Sequence, residues 1–391
     1  MIFTTFLFLP IILYFIIFFI LYLFWIRSNF NYNKKTSSQQ KQLNISIVIA
    51  ARNEQNNIGK LLSAIKNQNF PKTLYEIVII DDHSTDNTLL VCEDFFNKNI
   101  INHKIIKLNN EISGKKAAQK IGIENSSYDF IVLTDADCIP GANWLLTLSN
   151  FYITHKPKLI IGPIIMYDIF KKNNFINQII TLEHLSLISV SAASSYIQRP
   201  IMCSSANLAF EKKLYLDYLK NSISLHPSGD DMFLLIYAKK NYRKEIMYVH
   251  NIDAIVYTLP PMNFKEFVQQ RIRWAAKSKF YSDIEIIIMA MLVFFTCTSL
   301  TIILIKSFFN HSLFILYLIG LFIKSIPDYL ILQKITSDYK LKNLMKWFIP
   351  TQLFYPFYVI IIGIYSIFGK FNWKNRNFNA RKQHKHLENN S

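Results

Sequence analysis

Residues 1–26, "MIFTTFLFLPIILYFIIFFILYLFWI", carry no charged side chain. A helix of that length crosses a hydrocarbon core of about 30 Å, and a helix satisfies its own main-chain polar groups there. The run lacks the basic start and short apolar stretch of a cleavable signal peptide, so 1–26 is expected to be an uncleaved transmembrane anchor. Arg27, Lys34, Lys35 and Lys41 follow in a polar linker, 27–43. They predict that the next segment lies on the cytoplasmic side.

Three more apolar stretches, near 284–308, 312–333 and 345–369, predict a C-terminal membrane region of two or three spans over 283–369. The second holds Lys324 and Asp328, costly in lipid unless they pair or face protein. The third has Pro350 and Pro356 in its first half, which points to a surface start or a broken helix. Three spans would put the basic tail, 370–391, outside, against the positive-inside tendency. Either one stretch is re-entrant or interfacial, or the tail is an exception. The formal charge of +17 fits nucleic acid or an anionic membrane. Much of it lies in the linker, the pre-membrane helix and the tail, where lipid headgroups suffice, so no nucleic-acid partner is expected. Cys92, Cys138, Cys203 and Cys297 show no metal-finger spacing and fit a reduced compartment.

From Leu43 the pattern changes. "NISIVIAARNE", "YEIVIIDD", "HKIIKLNN" and "DFIVLTDADC" read as strands, the second and fourth of a buried type. Between them run helical stretches, the first with Ile58, Leu61, Leu62 and Ile65 at helical spacing. Strands alternating with helices predict an α/β domain around a mainly parallel sheet. In such sheets ligands sit beyond the carboxyl ends of the strands. Ala51–Glu54, Asp81, Asp82, Asp135 and Asp137 all fall at those ends. Clustered carboxylates repel unless protonated or joined by a cation, and a hard divalent ion such as Mg²⁺ or Mn²⁺ suits oxygen ligands. With Lys115 or Lys116 nearby, a diphosphate ligand follows. The absence of a GxGxxG or Walker loop argues against a dinucleotide or P-loop site. Each signal alone has a plainer reading: an Asp pair after a strand is often a turn or cap, and surface lysines are commonly solvated. The segment 175–199 reads as an amphipathic helix over the site or on the membrane, or equally as core.

"SIVIAARNE", "EIVIIDDHSTDNT", "SGKKAAQKIGI", "TDADC", "SANLAF", "GDDMFL" and "QQRIRW" occur in an order that resembles family 2 glycosyltransferases, over roughly residues 44–280. The likeness is to the membrane-embedded branch with a QxxRW motif. It implies a GT-A (Rossmann-like) catalytic domain over 44–282. It places Ala51, Glu54, Asp81, Asp82, Lys115 and Asp135 at a nucleotide-sugar, and Asp137 on a divalent metal, Mg²⁺ or Mn²⁺. Asp231 resembles the general base for the acceptor hydroxyl. Gln270, Arg273 and Trp274 match QxxRW; Asp230 and Asn207 would contact the acceptor. Two positions depart from the pattern: Asp230 replaces the usual glutamate, and Gln119 stands where an asparagine is common.

Such a set suits sugar transfer. A metal neutralises charge on the departing diphosphate and a carboxylate takes the hydroxyl proton; one base on the opposite face implies inversion. Gln270, Arg273 and Trp274 share a helix face, with Arg273 suited to the leaving phosphate and Trp274 to stacking on the acceptor. Arg271, Lys277 and Lys279 are assigned to anchoring at the bilayer surface, and His83 and His226 are left out of the chemistry. The expectation is an inverting, metal-dependent glycosyltransferase, multi-pass in a bacterial inner membrane, with its catalytic domain cytoplasmic. Its donor would be a UDP-sugar and its acceptor a lipid or lipid-linked group. The alternatives are a processive polysaccharide synthase of the same family, or a non-catalytic membrane scaffold that retains the fold.

Overall fold

The computed structural model describes residues 2–27, 43–170, 174–221, 230–261, 263–368, 370–373 and 376–379. Most of the linker with Lys34, Lys35 and Lys41, His226, and the end of the basic tail lie outside the described residues. The chain packs as two compact units. One takes in the described parts of Met1–Arg27, Asn173–Ala193 and Pro260–Ser391, the other those of Ser28–Lys172 and Ser194–Leu259.

The first helix, α1, runs Ile2–Arg27. The α/β unit then begins with β1 (Ile45–Ala51), α2 (Ile58–Lys66), β2 (Tyr75–Asp81), α3 (Thr88–Asn97), β3 (His103–Lys107), α4 (Lys115–Glu124) and β4 (Phe130–Asp135). Each is where the residue pattern predicts it. Ile58, Leu61, Leu62 and Ile65 are the buried residues of α2, because i, i+3, i+4 and i+7 share a face. β1 pairs in parallel with both β2 and β4, and β2 pairs in parallel with β3. Strands buried on both faces need no polar alternation, which is why "IVII" and "IVL" run unbroken. Gly122 of α4 lies so close to the sheet that an added Cβ would come within 2.3 Å of Ile80, so glycine there sets the helix-to-sheet distance.

The chain continues through β5 (Cys138–Pro140), α5 (Trp144–His155), β6 (Leu159–Ile161), β7 (Ile164–Met166), α6 (Phe175–Tyr196), β8 (Leu208–Glu211), α7 (Lys212–Asn221), α8 (Asp230–Tyr242), β9 (Ile246–Tyr248), β10 (Val256–Thr258) and α9 (Phe264–Lys277). The large sheet has the order β3-β2-β1-β4-β8-β6-β9, and β5, β10 and β7 form a smaller one. β8 runs antiparallel to β4 and β6, so the sheet is mainly, not wholly, parallel. α6 is no amphipathic surface helix: Ile180–Leu185 and Ser191–Ser195 are buried without a break. Of the readings open for 175–199, core is the one found.

Glu76 of β2 shows how polar groups are housed in this sheet. It is 4% exposed, accepts from Ser46 Oγ at 2.6 Å and Ser127 Oγ at 2.9 Å, and lies 3.6 Å from Lys104 Nζ. Burial pushes its pKa up, but the bonds from Ser46 and Ser127 and the Lys104 charge outweigh it and hold the carboxyl below its ordinary 4.5. A depressed folded value stabilises above the unfolded value and is lost as pH falls through the folded one. Glu76→Gln is therefore expected to destabilise most near neutrality, with the gap to wild type closing as urea melts are taken well below pH 4.5.

After α9 come α10 (Ile284–Ser307), α11 (Ser312–Asp338) and α12 (Phe348–Phe368). Among the described residues four helices are long and apolar enough to cross a membrane: Phe6–Arg27, Ile284–Ser307, Ser312–Asp338 and Lys342–Ser366. Pro350 and Pro356 do not break α12, which is continuous from Phe348. α1 packs on α10 and α11 around Ile11, Leu300, Ile303, Tyr317 and Leu321. Gly320 permits the close approach: a Cβ there would sit 3.1 Å from both Ile11 and Leu300. Lys324 and Asp328 pair at 2.7 Å. Gln352 accepts from Lys324 at 2.6 Å and donates to Asp328 at 3.0 Å, and Tyr14 donates to Asp328 at 2.7 Å. The charges pair and face protein, as their cost in lipid requires.

Candidate active site

Parallel register brings the strand ends level: Ala51 is opposite Asp81 and Ala50 opposite Asp135. The loops that follow are laced together. Glu54 N–H donates to Thr88 Oγ1 at 2.7 Å, Gln55 N–H to Asp86, and Thr85 N–H to Asn53 Oδ1 at 2.8 Å. Asn53 and His83 turn the chain with φ of 53° and 57°. Asn57 Nδ2 fixes the half-buried Glu54 carboxylate at 2.9 Å.

At the carboxyl end of β4, Lys115 Nζ lies 2.6 Å from Asp135 Oδ1. Burial pushes the Lys115 ammonium down, but Asp135, Asp231 and Asp137 together hold it above its ordinary value. Asp135 is in direct contact with Lys115, while Asp231 and Asp137 act on it through their charge. Asp137 also lines a cleft of about 90 Å³ with Asn57, Lys60, Ile139, Asp168, Phe170 and Leu259. Asp231, in the first turn of α8, accepts from Ser205 N–H at 3.2 Å and from its neighbour Met232 N–H at 2.9 Å. Two main-chain donors thus aim that carboxylate. Buried Cys138 is a packing thiol; burial, then Asp137 and Asp135, push its pKa well up.

Other expected site residues are placed differently. Asp81 and Asp82 are 4% and 2% exposed. Asp81 accepts from Ser84 N–H and Asp82 from Gly114 N–H at 3.0 Å, while Arg52 donates to the Asp82 carbonyl at 2.8 Å. Both carboxylates brace loops, the plainer reading of "DDHSTDNT". Ala51 contributes its carbonyl to Asp82 N–H. Asn207 does not line an acceptor cleft. It is 1% exposed, and its amide takes Trp144 Nε1–H at 3.0 Å and donates to the carbonyls of Pro163 and Ala254. Asp230 is likewise no acceptor contact: it is buried and receives the hydroxyls of Tyr215 and Tyr218, with Lys116 at 3.5 Å. An apolar helix start cannot leave that charge unpaired.

The QxxRW residues Gln270, Arg273 and Trp274 sit on α9, in the other unit. Arg271 is not a surface anchor. It is 3% exposed and forms a two-pronged ion pair with Glu183 of α6. Sequence reasoning gave no role to Glu183, Ser205 or Arg52; Ser205 and Arg52 lie within "SANLAF" and "SIVIAARNE", and Glu183 left a signal as an acid within an otherwise apolar helix that requires a partner.

Residues 46–215 match the family model for Glycosyl transferase family 2. That stretch is a family 2 glycosyl transferase domain. The chain around it is similar to glycosyltransferase AglE of Haloferax volcanii, 35% identical over 101 residues, 26% of this chain and 33% of that protein. It is also similar to the poly-beta-1,6-N-acetyl-D-glucosamine synthase of Staphylococcus epidermidis, 28% identical over 291 residues, 70% of this chain and 65% of the synthase. The chain thus spans a third of the first relative and just under two thirds of the second. The mannosyltransferase PcManGT of Pyrobaculum calidifontis, solved with GDP-Man and Mn²⁺, shares the fold at 16% identity, with a TM-score of 0.51 over 92% of this chain and 99% of that one. The family 2 domain therefore has the expected GT-A architecture.

The donor set suits a hard divalent cation of the kind family 2 domains commonly use. Asp137 offers oxygen ligands at a cleft, and Asp135, two residues before it, pairs with Lys115. Among the described residues no three His, Cys, Asp or Glu side chains close around one point. An ion held by one or two carboxylates completes its shell with phosphates and water.

Proposed function

We propose that this chain is a glycosyltransferase that moves a sugar from a nucleotide diphosphate, a UDP-sugar by expectation, to a lipid or lipid-linked acceptor at a membrane, with inversion. The observation that supports the reading is the Lys115–Asp135 ion pair at 2.6 Å beside Asp137, which lines a cleft, within the family 2 domain, with Asp231 of α8 adding negative charge felt by Lys115. Asp137 is the proposed ligand for Mg²⁺ or Mn²⁺, which when bound supplies positive charge to the leaving diphosphate. Lys115, with Asp135 as its counterion, adds a second cation for those phosphates. Asp231, aimed by Ser205 and Met232 N–H groups, takes the acceptor's proton as the new bond forms. Gln270, Arg273 and Trp274 are proposed to act in transfer, Arg273 on the leaving diphosphate and Trp274 on the acceptor. Four helices able to span a bilayer and the basic composition support a membrane setting, with the catalytic domain in the cytoplasm.

The long match to a polysaccharide synthase favours a second reading, in which the acceptor is the growing polymer. One assay separates them. Purified protein in detergent is screened against nucleotide-sugars, following nucleotide release and product size, with and without a lipid acceptor. A single-sugar lipid product is expected; a long polymer formed without added lipid selects the second reading. Chelation by EDTA is expected to stop transfer and Mn²⁺ to restore it. Full activity in EDTA would remove the metal role of Asp137.

A further inference from the structure

We infer that Glu183 and Arg271 are positioning residues for Gln270 and Trp274, locking the QxxRW helix in its working geometry. The inference rests on the proposed function. Arg271 touches two of the three motif side chains. Its Nη1 donates to Gln270 Oε1 at 2.8 Å, which fixes that amide so that its NH₂ faces away from the guanidinium. Its guanidinium carbon lies 4.4 Å from the Trp274 ring centroid and 4.8 Å from that of Phe267, so it is held between two aromatic rings. Glu183 grips the same guanidinium through Nε at 3.2 Å and through Nη2, a planar fork that a lysine cannot reproduce.

Two further groups hold the arrangement. Tyr358 of α12 donates to Glu183 Oε1 at 3.2 Å, and its ring stacks on Phe267 at 5.5 Å. The His184 ring centroid lies 6.1 Å from that of Trp274. Burial, then the Arg271 charge, push the His184 pKa down to about 3, so that ring is neutral beside Trp274. The pair is nearly sealed from solvent, with Glu183 6% and Arg271 3% exposed. A rotation of Arg271 would therefore shift Gln270 and Trp274 with it.

A simple fold staple and a positioning pair differ in what they change per folded molecule. Arg271→Lys and Tyr358→Phe would be purified in detergent and checked by thermal melting. Nucleotide diphosphate binding, kcat and KM for the donor would then be measured on the folded fraction. Arg271→Lys is expected to lower kcat by about 10²-fold, the cost of a roughly 1 Å misplacement, with donor KM within about 3-fold because ground-state binding is left alone. Tyr358→Phe, which deletes one hydroxyl, is expected to lower kcat by about 2- to 10-fold, the worth of one hydrogen bond. Should Arg271→Lys fail to fold, Tyr358→Phe carries the test. Unchanged kcat per folded molecule, whatever the melting temperature, overturns the positioning role. Wild-type protein that releases nucleotide from no donor overturns the proposed function instead, and is seen before any variant is made.

Discussion

Asp231→Asn in the full-length chain lowers sugar transfer by about 10²–10⁴-fold, the usual worth of a positioned general base. The amide matches the carboxylate in shape but keeps one oxygen, so of the N–H groups of Ser205 (to Oδ2) and Met232 (to Oδ1) one retains its acceptor and the other loses it. Folding is expected to survive the loss of that one hydrogen bond, and so is nucleotide binding. Asp137→Asn is expected to be as severe in rate but different in kind: it weakens Mn²⁺-dependent nucleotide binding, measured by calorimetry with and without the metal. The two signatures separate a base from a metal ligand. Near-normal transfer by either variant removes that residue's assignment.

Lys324→Ala or Asp328→Ala destabilises the helical unit by about 3–5 kcal/mol, because one charge is left buried without its partner. Lys324 is 1% exposed, its ammonium lies 4.4 Å from the Tyr355 ring centroid, and Gln352 bridges both charges. Removing Lys324 also strands Gln352 Oε1, and removing Asp328 strands Gln352 Nε2 and the Tyr14 hydroxyl. The double variant Lys324→Met/Asp328→Leu is expected to recover most of the loss, since replacing a whole buried pair by apolar groups of similar volume is often close to neutral. Thermal unfolding in one detergent compares the three. Equal stability of a single variant and wild type would show that the pair bears no structural load.

The strands and helices of the α/β unit were legible because their signal is local. Ile58, Leu61, Leu62 and Ile65 face the core for reasons contained in nine residues, and Asp81 and Asp135 fall at strand ends because the apolar runs stop there. The antiparallel β8 was not legible, since "LAFE" acquires its direction only from β4 and β6. The same limit governs the site. Lys115 pairs with Asp135 at the end of β4, where the motifs put both, and Asp137 lines a cleft two residues on. Asn207 and Asp230 sit in equally suggestive motifs, yet their partners, Trp144, Pro163 and Ala254 for one and Tyr215 and Tyr218 for the other, claim them for packing. Arg271 shows it most sharply. Its charge pattern suits a bilayer surface, and a glutamate 88 residues earlier takes it into the interior.

The two units alternate along the chain, so that α1, Asn173–Ala193 and everything after Pro260 belong together. Synthesis at about 5–20 residues per second therefore leaves α1 without its partners for tens of seconds before α10 and α11 emerge to cover it. Truncation meets the same constraint. A fragment ending before α12 would keep Glu183 and Arg271 but lose Tyr358, and would bare the face of α9 that α12 covers. Efforts to obtain a water-soluble fragment by trimming the apolar helices should therefore yield aggregation, whereas the 391-residue chain extracted in detergent should stay monodisperse.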